Sequence, residues 1–523
     1  MPVRLRIRKL SRTSMIRTLS VAALALLVLS SFGGVVNATT RNTNNILVTP
    51  TAYDWPMLMH DSNHSSAVIE PGPYTNNVLA KSSLKSPIIT SPAAANNTIY
   101  LISGQTLKAL NSSDLSTFWS KSLGENTRSS PASSGGEVYV CQADGTILAI
   151  NGVTGNTDWR IMTGVSIVSS PTVLGGMLYV SLSNGILEEI DTTTQAVIWT
   201  FNSGSTFVAS PAVSGNYIAV GAANGIEYFI NKGTGTLYWS VTTGGPISSS
   251  ASFFHGTLAY FGSNDTKVYA VNLVTKSVTW TFKTTGDVLS TPVSDGVNVY
   301  AASFGGSLYA LSAASGSSVW TFSSGAVDTD LALAEGTYKG FIPTFVPMVY
   351  VVSVSGEIYG VNRATGSSVW SLALTGGNGG SPIVAYTKIY VGTATGYFAE
   401  IGALRYVTAA ATFDTSGNYV TSFSPTSTVI LAANAAWGKY GLNNTFVSVS
   451  GPGKGHPLVL INATMLFEPG LSNYNLYYSF NLVNAPVGTY KVTVALEDAN
   501  PKTGSAHPRC CGWVDFKTTF TVT

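Results

Sequence analysis

Charged side chains are scarce in this sequence. Asp, Glu, Lys and Arg together make up 10% of its 523 residues, whereas they supply roughly 25% of an ordinary soluble protein. The net charge of +2 gives no electrostatic basis for binding nucleic acid or an anionic membrane surface. A fold with so few carboxylates also has few groups whose protonation can unfold it. We therefore expect an acid-tolerant protein whose surface is covered by uncharged polar residues and glycine.

Cysteine is also scarce. The chain has only Cys141, Cys510 and Cys511, too few for a disulfide framework. Three interpretations of the adjacent pair Cys510 and Cys511 stay open: a vicinal disulfide in an oxidising compartment, a metal site that includes His507 and that His456 approaches, or a structural loop without a ligand. We favour the last, and we expect Cys141 to be a buried thiol on a strand.

Long apolar runs are absent except near the N-terminus. Residues 1–38 combine a basic start, an apolar stretch and the small-residue cleavage site Val36-Asn37-Ala38, which together predict a signal peptide. The alternative is an uncleaved anchor over residues 19–36, at the short limit for spanning a bilayer. We expect a secreted protein, or one on the extracellular face of the cell envelope, that touches a membrane only through this segment if it is uncleaved. Six glycosylation sequons agree with export: Asn63, Asn96, Asn111, Asn264, Asn443 and Asn462.

Catalytic motifs are missing as well. The sequence contains no nucleophile elbow, P-loop, zinc-binding helix or dinucleotide fingerprint in a convincing context. His60 and His64 are four residues apart, but no third ligand or helical pattern accompanies them. We therefore expect two solvent-exposed histidines rather than a metal site.

The sequence does contain a strong internal repeat, marked by tryptophan. Seven tryptophans follow one another at intervals of 40, 40, 40, 41, 40 and 50 residues: Trp119, Trp159, Trp199, Trp239, Trp280, Trp320 and Trp370. Each period contains four short β-rich runs separated by glycine-containing turns, and a Ser-Pro pair often precedes the first run. Four antiparallel strands in about 40 residues are typical of a propeller blade.

The segment before each tryptophan resembles the docking motif of quinoprotein-type (PQQ-like) propeller repeats, A-x-[D/N]-x-x-T-G-x-x-x-W. Residues 149–159, 229–239, 270–280, 310–320 and 360–370 match it well, and the first and third copies match more loosely. In that family the indole packs against the neighbouring blade and locks the two blades together. The resemblance therefore implies a structural docking role for all seven tryptophans.

The ends of the repeat give the number of blades. After Trp370, residues 380–401 supply three more strands but no tryptophan, and residues 76–84 can supply the missing outer strand, with Ala80 where tryptophan would stand. The sequence thus predicts an all-β protein with an eight-bladed propeller of four-stranded antiparallel blades. We assign residues 1–38 to the signal peptide, 39–75 to a linker and an N-terminal tail anchored by Trp55, and 76–404 to the propeller.

The last segment, residues 405–523, has a different pattern. It contains about seven short strand-like runs, and residues 486–494 form a turn followed by a clean alternating strand. This pattern suggests an immunoglobulin-like β-sandwich.

The family resemblance points to two different functions. Quinoprotein dehydrogenases hold pyrroloquinoline quinone and calcium in the funnel, beneath adjacent cysteines. Here Cys510 and Cys511 lie outside the propeller, and the acidic calcium ligands cannot be placed. The same repeats also build the non-catalytic lipoprotein that assists outer-membrane barrel assembly, so the fold alone does not decide. We predict a non-catalytic scaffold without a cofactor that binds protein or glycan at the envelope; the alternatives are an oxidoreductase that uses the quinone or a metal, and a purely structural envelope component.

Two segments stand out as candidate sites. Arg128, Asp287, Asp328 and Asp330 precede first strands, so they should rim one end of the channel, where they could bind a cation or a polar ligand. The alternative, which we favour, is a solvated rim with one salt bridge and no ligand. The gap between Trp320 and Trp370 is 10 residues longer than the usual 40.

The extra residues of that gap fall at 335–347 and are expected to form a loop between the first two strands of blade 7, on the face opposite the charged rim. Its aromatic residues Tyr338, Phe341 and Phe345 suit a protein contact. An excursion packed on its own blade is the alternative.

Overall fold

The computed structural model describes residues 54–68, 72–73, 75–125, 127–339, 344–377 and 379–402, together with the backbone of seven strands between residues 406 and 522. The predicted signal peptide, Phe341, His456, His507, Cys510 and Cys511 lie outside these residues. All the regular secondary structure in the described part of the chain is β. No helix in that part is long and apolar enough to cross a membrane.

Residues 77–402 form eight blades of four antiparallel strands each. In seven blades the four strands are consecutive in the sequence, and in the eighth Asn77–Ser83 joins the last three strands. The first strands are Ala93–Ala95, Ala132–Ser134, Thr172–Leu174, Ala212–Ser214, Ser252–Phe254, Val293–Ser294, Ala332–Lys339 and Ile383–Ala385. The second strands are Thr98–Ser103, Glu137–Cys141, Met177–Ser181, Tyr217–Gly221, Leu258–Gly262, Asn298–Ala302, Thr344–Val352 and Lys388–Gly392. The predicted eight-bladed propeller is therefore confirmed.

The two remaining strands of each blade complete the sheet outwards. The third strands are Thr106–Asn111, Thr146–Asn151, Ile186–Asp191, Ile226–Asn231, Lys267–Asn272, Ser307–Ser312, Glu357–Asn362 and Tyr397–Gly402. The fourth strands are Thr117–Ser122, Thr157–Met162, Val197–Asn202, Leu237–Thr242, Ser277–Lys283, Ser318–Ser323 and Ser368–Ala373, with Asn77–Ser83 for blade 8.

Burial follows this order of strands. First strands of neighbouring blades touch one another, so they line the axis of the ring. Second strands such as Met177–Ser181 are buried over nearly their whole length, because both faces of the sheet pack against other blades. Fourth strands such as Val197–Asn202 alternate between half-buried and exposed residues, as expected for an outer edge.

The N-terminal strand closes the ring as predicted. Asn77–Ser83 pairs antiparallel with Tyr397–Gly402, and Ala80 lies opposite Glu400. In the other blades the docking tryptophan occupies the position of Ala80, as Trp199 does opposite Glu189. A strand from the start of the propeller thus completes the sheet at its end.

The segment before that strand, residues 54–68, crosses the ring along the first strands; we call it the leader. Trp55 is 1% exposed, and its backbone pairs with Ala94 of blade 1. Four further leader carbonyls accept backbone N–H groups from blades 2, 4, 5 and 7: Pro56 from Ser133, Ser62 from Val213, Asn63 from Phe253 and Ser66 from Leu333. All the blade residues that donate these N–H groups lie at the same level of the ring, so the leader spans one end of the channel.

The expectation of two exposed histidines is wrong for His64. Its side chain is fully buried, with Nδ1 3.1 Å from the carbonyl oxygen of Ala251 in blade 5 and Nε2 3.5 Å from the Thr172 hydroxyl in blade 3. Burial lowers the pKa of His64 to about 4. The imidazole is therefore a neutral bridge between the leader and two blades.

The insertion in blade 7 differs from the predicted loop. It continues the first two strands as a hairpin, Ala332–Lys339 against Thr344–Val352, in which Tyr338 lies opposite Phe345. The short leader strand Ala67–Val68 adds to the same sheet in parallel. Residues 337–339 pair with residues 344–346, so the described part of the insertion extends the strand pair.

Two further sheets lie beyond the propeller sequence. One contains Tyr406–Phe413, Thr428–Ala436 and Leu476–Asn481; the other contains Ser422–Phe423, Leu442–Ser450, Gly488–Asp498 and Val514–Val522. The segment is thus β-structured in its described part, and the immunoglobulin-like sandwich stays a prediction.

Candidate functional site

The channel wall contains one polar residue from each blade, at the position just before the first strand. We call these eight residues the inner belt: Ser91, Ser130, Ser170, Ser210, Ser250, Thr291, Asp330 and Ser381. In most blades proline follows, which holds the belt residue in an extended conformation. Its backbone N–H then points to the next blade, and the Ser91 N–H donates to the Ser130 hydroxyl at 3.0 Å. The same bond recurs from Ser130 to Ser170, from Ser170 to Ser210 and from Ser210 to Ser250.

Asp330 is the single carboxylic acid of the inner belt. Its Oδ1 accepts the backbone N–H of Thr291 at 2.9 Å, the bond that a hydroxyl makes elsewhere. Its own N–H donates to the Ser381 hydroxyl at 2.9 Å. Burial raises the pKa of this carboxyl, so Asp330 binds a proton more readily than an exposed aspartate does.

Apolar residues surround the end of the channel opposite the leader. They lie two residues before the inner belt in the sequence, and Ile89, Val168 and Val208 are 47%, 36% and 38% exposed. The turns between second and third strands reach the same end, where Phe304 is 49% and Val354 is 40% exposed. We call these residues, with the half-buried Leu289, the mouth collar.

The predicted rim residues belong to this end of the ring but lie at three levels. Asp287 is four residues before the inner belt, Arg128 and Asp328 are two residues before it, and Asp330 is part of it. The three aspartates come from the neighbouring blades 6 and 7, whereas Arg128 comes from blade 2. Among the described residues, no three His, Cys, Asp or Glu side chains lie close enough to share a metal ion. A ligand of this rim stays a prediction.

Four of the seven tryptophans dock on the next blade in the same way. The indole N–H groups of Trp119, Trp199, Trp280 and Trp320 donate to backbone carbonyls of that blade at 2.8–2.9 Å. Each ring lies against the glycine of the neighbouring motif, and a Cβ on Gly155 or Gly235 would be 2.8 or 2.5 Å from it. Glycine therefore permits the close approach that the hydrogen bond requires.

Two tryptophans make no such bond, and the reason lies in the neighbouring motif. Gln195 and Lys276 occupy the glycine position with φ of +63° and +52°, and they face Trp159 and Trp239. The indole nitrogens of both tryptophans are buried without a hydrogen-bond partner. Trp239 instead stacks on Phe229, with ring centroids 4.7 Å apart. The missing glycine in the sequence was the signal for this change.

The interface between blades 8 and 1 is packed differently. Blade 8 has Ala80 instead of tryptophan, and blade 1 has Leu115 instead of glycine. Leu115 is buried in the cluster against which Ala80 packs. The carbonyl of Ser112, which would accept an indole N–H, accepts the hydroxyl of Tyr390 at 2.7 Å. A larger residue on one side thus compensates for the smaller one on the other.

The mouth collar could not be recognised as a surface from the charged rim positions alone. The available signal was the fixed distance of its residues from the Ser-Pro pairs, since residues at one distance share one level of the ring. Phe304 and Val354 gave a second signal, because the other blades have smaller or polar residues in these turns.

Comparisons with known proteins agree with this architecture. Residues 103–228, 228–337 and 306–436 match the family described as outer membrane protein assembly factor BamB. A search of curated proteins finds no match. Among solved structures, the chain is similar to BamB from Moraxella catarrhalis, with 14% identity and a TM-score of 0.53 over 63% of this chain and 100% of the other.

Two further solved structures show the same fold. The quinohemoprotein alcohol dehydrogenase from Comamonas testosteroni is 13% identical, with a TM-score of 0.55 over 68% of this chain and 81% of the other. The computationally designed Ika8 protein is 14% identical, with a TM-score of 0.53 over 62% and 99%. At these identities the structural likeness shows the fold alone, but the family match covers well over half of the sequence. The chain belongs to the BamB-type propeller family.

Proposed function

We propose that this chain is an exported, non-catalytic scaffold that binds a protein partner at the cell envelope through its mouth collar. The observation that carries the proposal is the asymmetry of the channel. The leader spans one end, while apolar side chains from several blades are exposed around the other. Scattered apolar residues are normal on a surface, but a group around one opening is typical of an interaction site.

The composition of the collar favours a protein over other ligands. Interface centres are depleted in charged residues and rich in aromatic and aliphatic ones. At the level of Ile89 and Val168, only Arg128 and Asp328 are charged among eight positions. The family match to an outer membrane protein assembly factor supports the same class of function, since assembly depends on protein contacts.

The residues of the channel do not fit the quinone and calcium of the dehydrogenases. Calcium takes 6–8 oxygen ligands and usually several carboxylates, whereas no three His, Cys, Asp or Glu side chains lie together in the described residues. The serine hydroxyls from Ser130 to Ser250 accept hydrogen bonds between blades, which leaves them committed to the ring. This donor set supports a scaffold in preference to a quinoprotein oxidoreductase.

Site-specific photo-crosslinking tests the proposal. A photoreactive amino acid replaces Phe304 in the mouth collar or, as the matched control, Val297. Val297 is 73% exposed in a turn between first and second strands, at the leader end. We expect one protein adduct from envelope preparations with the Phe304 probe and none with the Val297 probe. Equal labelling by both probes, or no adduct at Phe304, would contradict the proposal.

A substitution provides the second part of the test. The double variant Ile89→Ser and Phe304→Ser removes two exposed apolar side chains and should leave the thermal midpoint unchanged, because neither is buried. We expect it to abolish capture of the crosslinked partner. Undiminished capture by this variant would place the interaction elsewhere.

A further inference from the structure

Between blades 6 and 7 the inner belt has a carboxyl where the other blades have a hydroxyl, and the repeated hydrogen bond does not require this change. Seven blades have a hydroxyl at this position. The hydrogen bond from the belt N–H of the preceding blade needs only a single acceptor atom. Asp330 supplies that acceptor with Oδ1, which binds the Thr291 N–H at 2.9 Å. Its second oxygen, Oδ2, has no counterpart in the serine blades and is 3.4 Å from the Ser381 hydroxyl, at the outer limit of a hydrogen bond.

A second polar atom, the Thr291 hydroxyl, lies beside Asp330. The Thr291 side chain is 1% exposed, and its hydroxyl oxygen has no partner at ordinary hydrogen-bond geometry, although it lies close enough to the Asp330 carboxyl to lower the pKa of that group. Its backbone N–H is already bound to Asp330, which places the hydroxyl next to the carboxyl. Buried polar atoms are rarely left unpaired, because the loss of hydration is then uncompensated. A carboxyl oxygen and a buried hydroxyl thus lie together without full satisfaction.

We propose that Asp330 and Thr291 bind a compact monovalent cation in the channel wall, either an alkali ion or a primary ammonium group. One carboxylate balances one positive charge, and both groups present oxygen lone pairs, which suit such cations. Asp330 keeps part of its surface exposed while Thr291 is buried, so a cation from the channel meets the carboxyl first. The site is independent of the partner proposed for the mouth collar.

The inner belt offers a matched variant for the test. Asp330→Ser introduces the residue that six other blades carry here, so the N–H of Thr291 keeps an acceptor while the charge is lost. The thermal midpoint is measured with increasing potassium chloride or methylammonium chloride. Tetramethylammonium chloride at equal ionic strength is the control, because it has the same charge but no N–H and a larger radius.

For the wild-type chain we expect the midpoint to rise by roughly 2 °C per tenfold increase in cation concentration above half-saturation. The rise should exceed that in tetramethylammonium and should be absent in Asp330→Ser. A response to potassium and not to methylammonium identifies an alkali ion, and the reverse identifies an ammonium group. Equal responses to all three salts, or an unchanged response in Asp330→Ser, would overturn the proposal.

Two further variants protect the test against misfolding and assign the second ligand. Asp330→Asn retains an acceptor for Thr291 and removes the charge, so it should behave as Asp330→Ser does. Thr291→Val keeps the shape and the backbone bond, and we expect a five- to tenfold higher half-saturation concentration, restored by Thr291→Ser. A wild-type response in Thr291→Val would exclude its hydroxyl from the site and so refute this part of the proposal.

Discussion

Replacement of Glu227 by leucine should stabilise the propeller, because this carboxyl is buried without any hydrogen bond. Glu227 lies on the third strand of blade 4, is fully buried, and has no hydrogen-bond partner for either oxygen. It lies opposite Gly221 and Val241 in the sheet. The corresponding residue of blade 3 is Leu187, which is also fully buried, so the fold accepts leucine at this position.

The expected increase in the free energy of unfolding has two parts. An unsatisfied buried polar group costs about 1–3 kcal/mol, and this part is present at every pH. Burial also raises the pKa of Glu227 well above its ordinary value of 4.5. The unfolded chain therefore releases the proton first as pH rises, and the free energy of unfolding falls by about 1.4 kcal/mol for each pH unit between 4.5 and the folded-state pKa.

The sign of the pH dependence follows from this difference. Stability from the protonated Glu227 is fully present below pH 4.5 and is lost as pH rises through the folded-state pKa. In urea titrations, Glu227→Leu should exceed the wild type by about 1–3 kcal/mol at pH 4 and by more at pH 7. The reciprocal control, Leu187→Glu, should lower stability and introduce the same slope. A Glu227→Leu chain that is less stable than the wild type, or a difference that does not change with pH, would refute the reasoning.

Three other predictions concern the seams and the leader. Gln195→Gly should raise stability by about 1 kcal/mol because φ is positive there, and Gly235→Gln should lower it by more, as thermal midpoints will show. Leu115→Ala should lose about 2–5 kcal/mol in denaturant titrations, and the pair Leu115→Gly with Ala80→Trp should recover part of that loss. His64 has its pKa lowered to about 4 by burial, so its contribution is present above pH 6.5 and falls by about 3 kcal/mol towards pH 4; His64→Asn should lack this slope in unfolding titrations.

Acid tolerance therefore depends on opposing groups. Burial raises the pKa of Glu137, Glu188, Glu227 and Asp330, and these carboxyls favour the folded state in acid. His64 acts in the opposite direction because its folded-state pKa is lowered. The scarcity of charge in the sequence suggested tolerance, and the structure places the acid-sensitive His64 in the leader.

The blades could be predicted from the sequence because each one is a local unit. Strand, turn and docking residues recur within 40 residues, so seven copies of Trp, and the motif glycine four residues before four of them, report one geometry many times. The eighth blade was predictable from the three strands before residue 402 and the unpaired strand with Ala80. The departures at Gln195 and Lys276 were visible too, although their effect on the indoles needed the structure.

Other features depend on contacts between distant parts of the chain. His64 is buried because the leader contacts six of the eight blades, and no local pattern around His60 and His64 indicates that path. The hydrogen bonds of the inner belt join residues about 40 positions apart, so a serine before proline looks like ordinary turn chemistry in the sequence. The hairpin of blade 7 was expected as a loop because its glycines and prolines concealed the strand register.

Hydrogen–deuterium exchange on the free and partner-bound chain tests the central claim most directly, with the partner being the protein crosslinked through Phe304. We predict protection on binding around Ile89 and in the turns that carry Phe304 and Val354, with no change in the turn at Val297. Protection confined to the outer strands or to the leader end would contradict the assignment of the mouth collar as the binding surface.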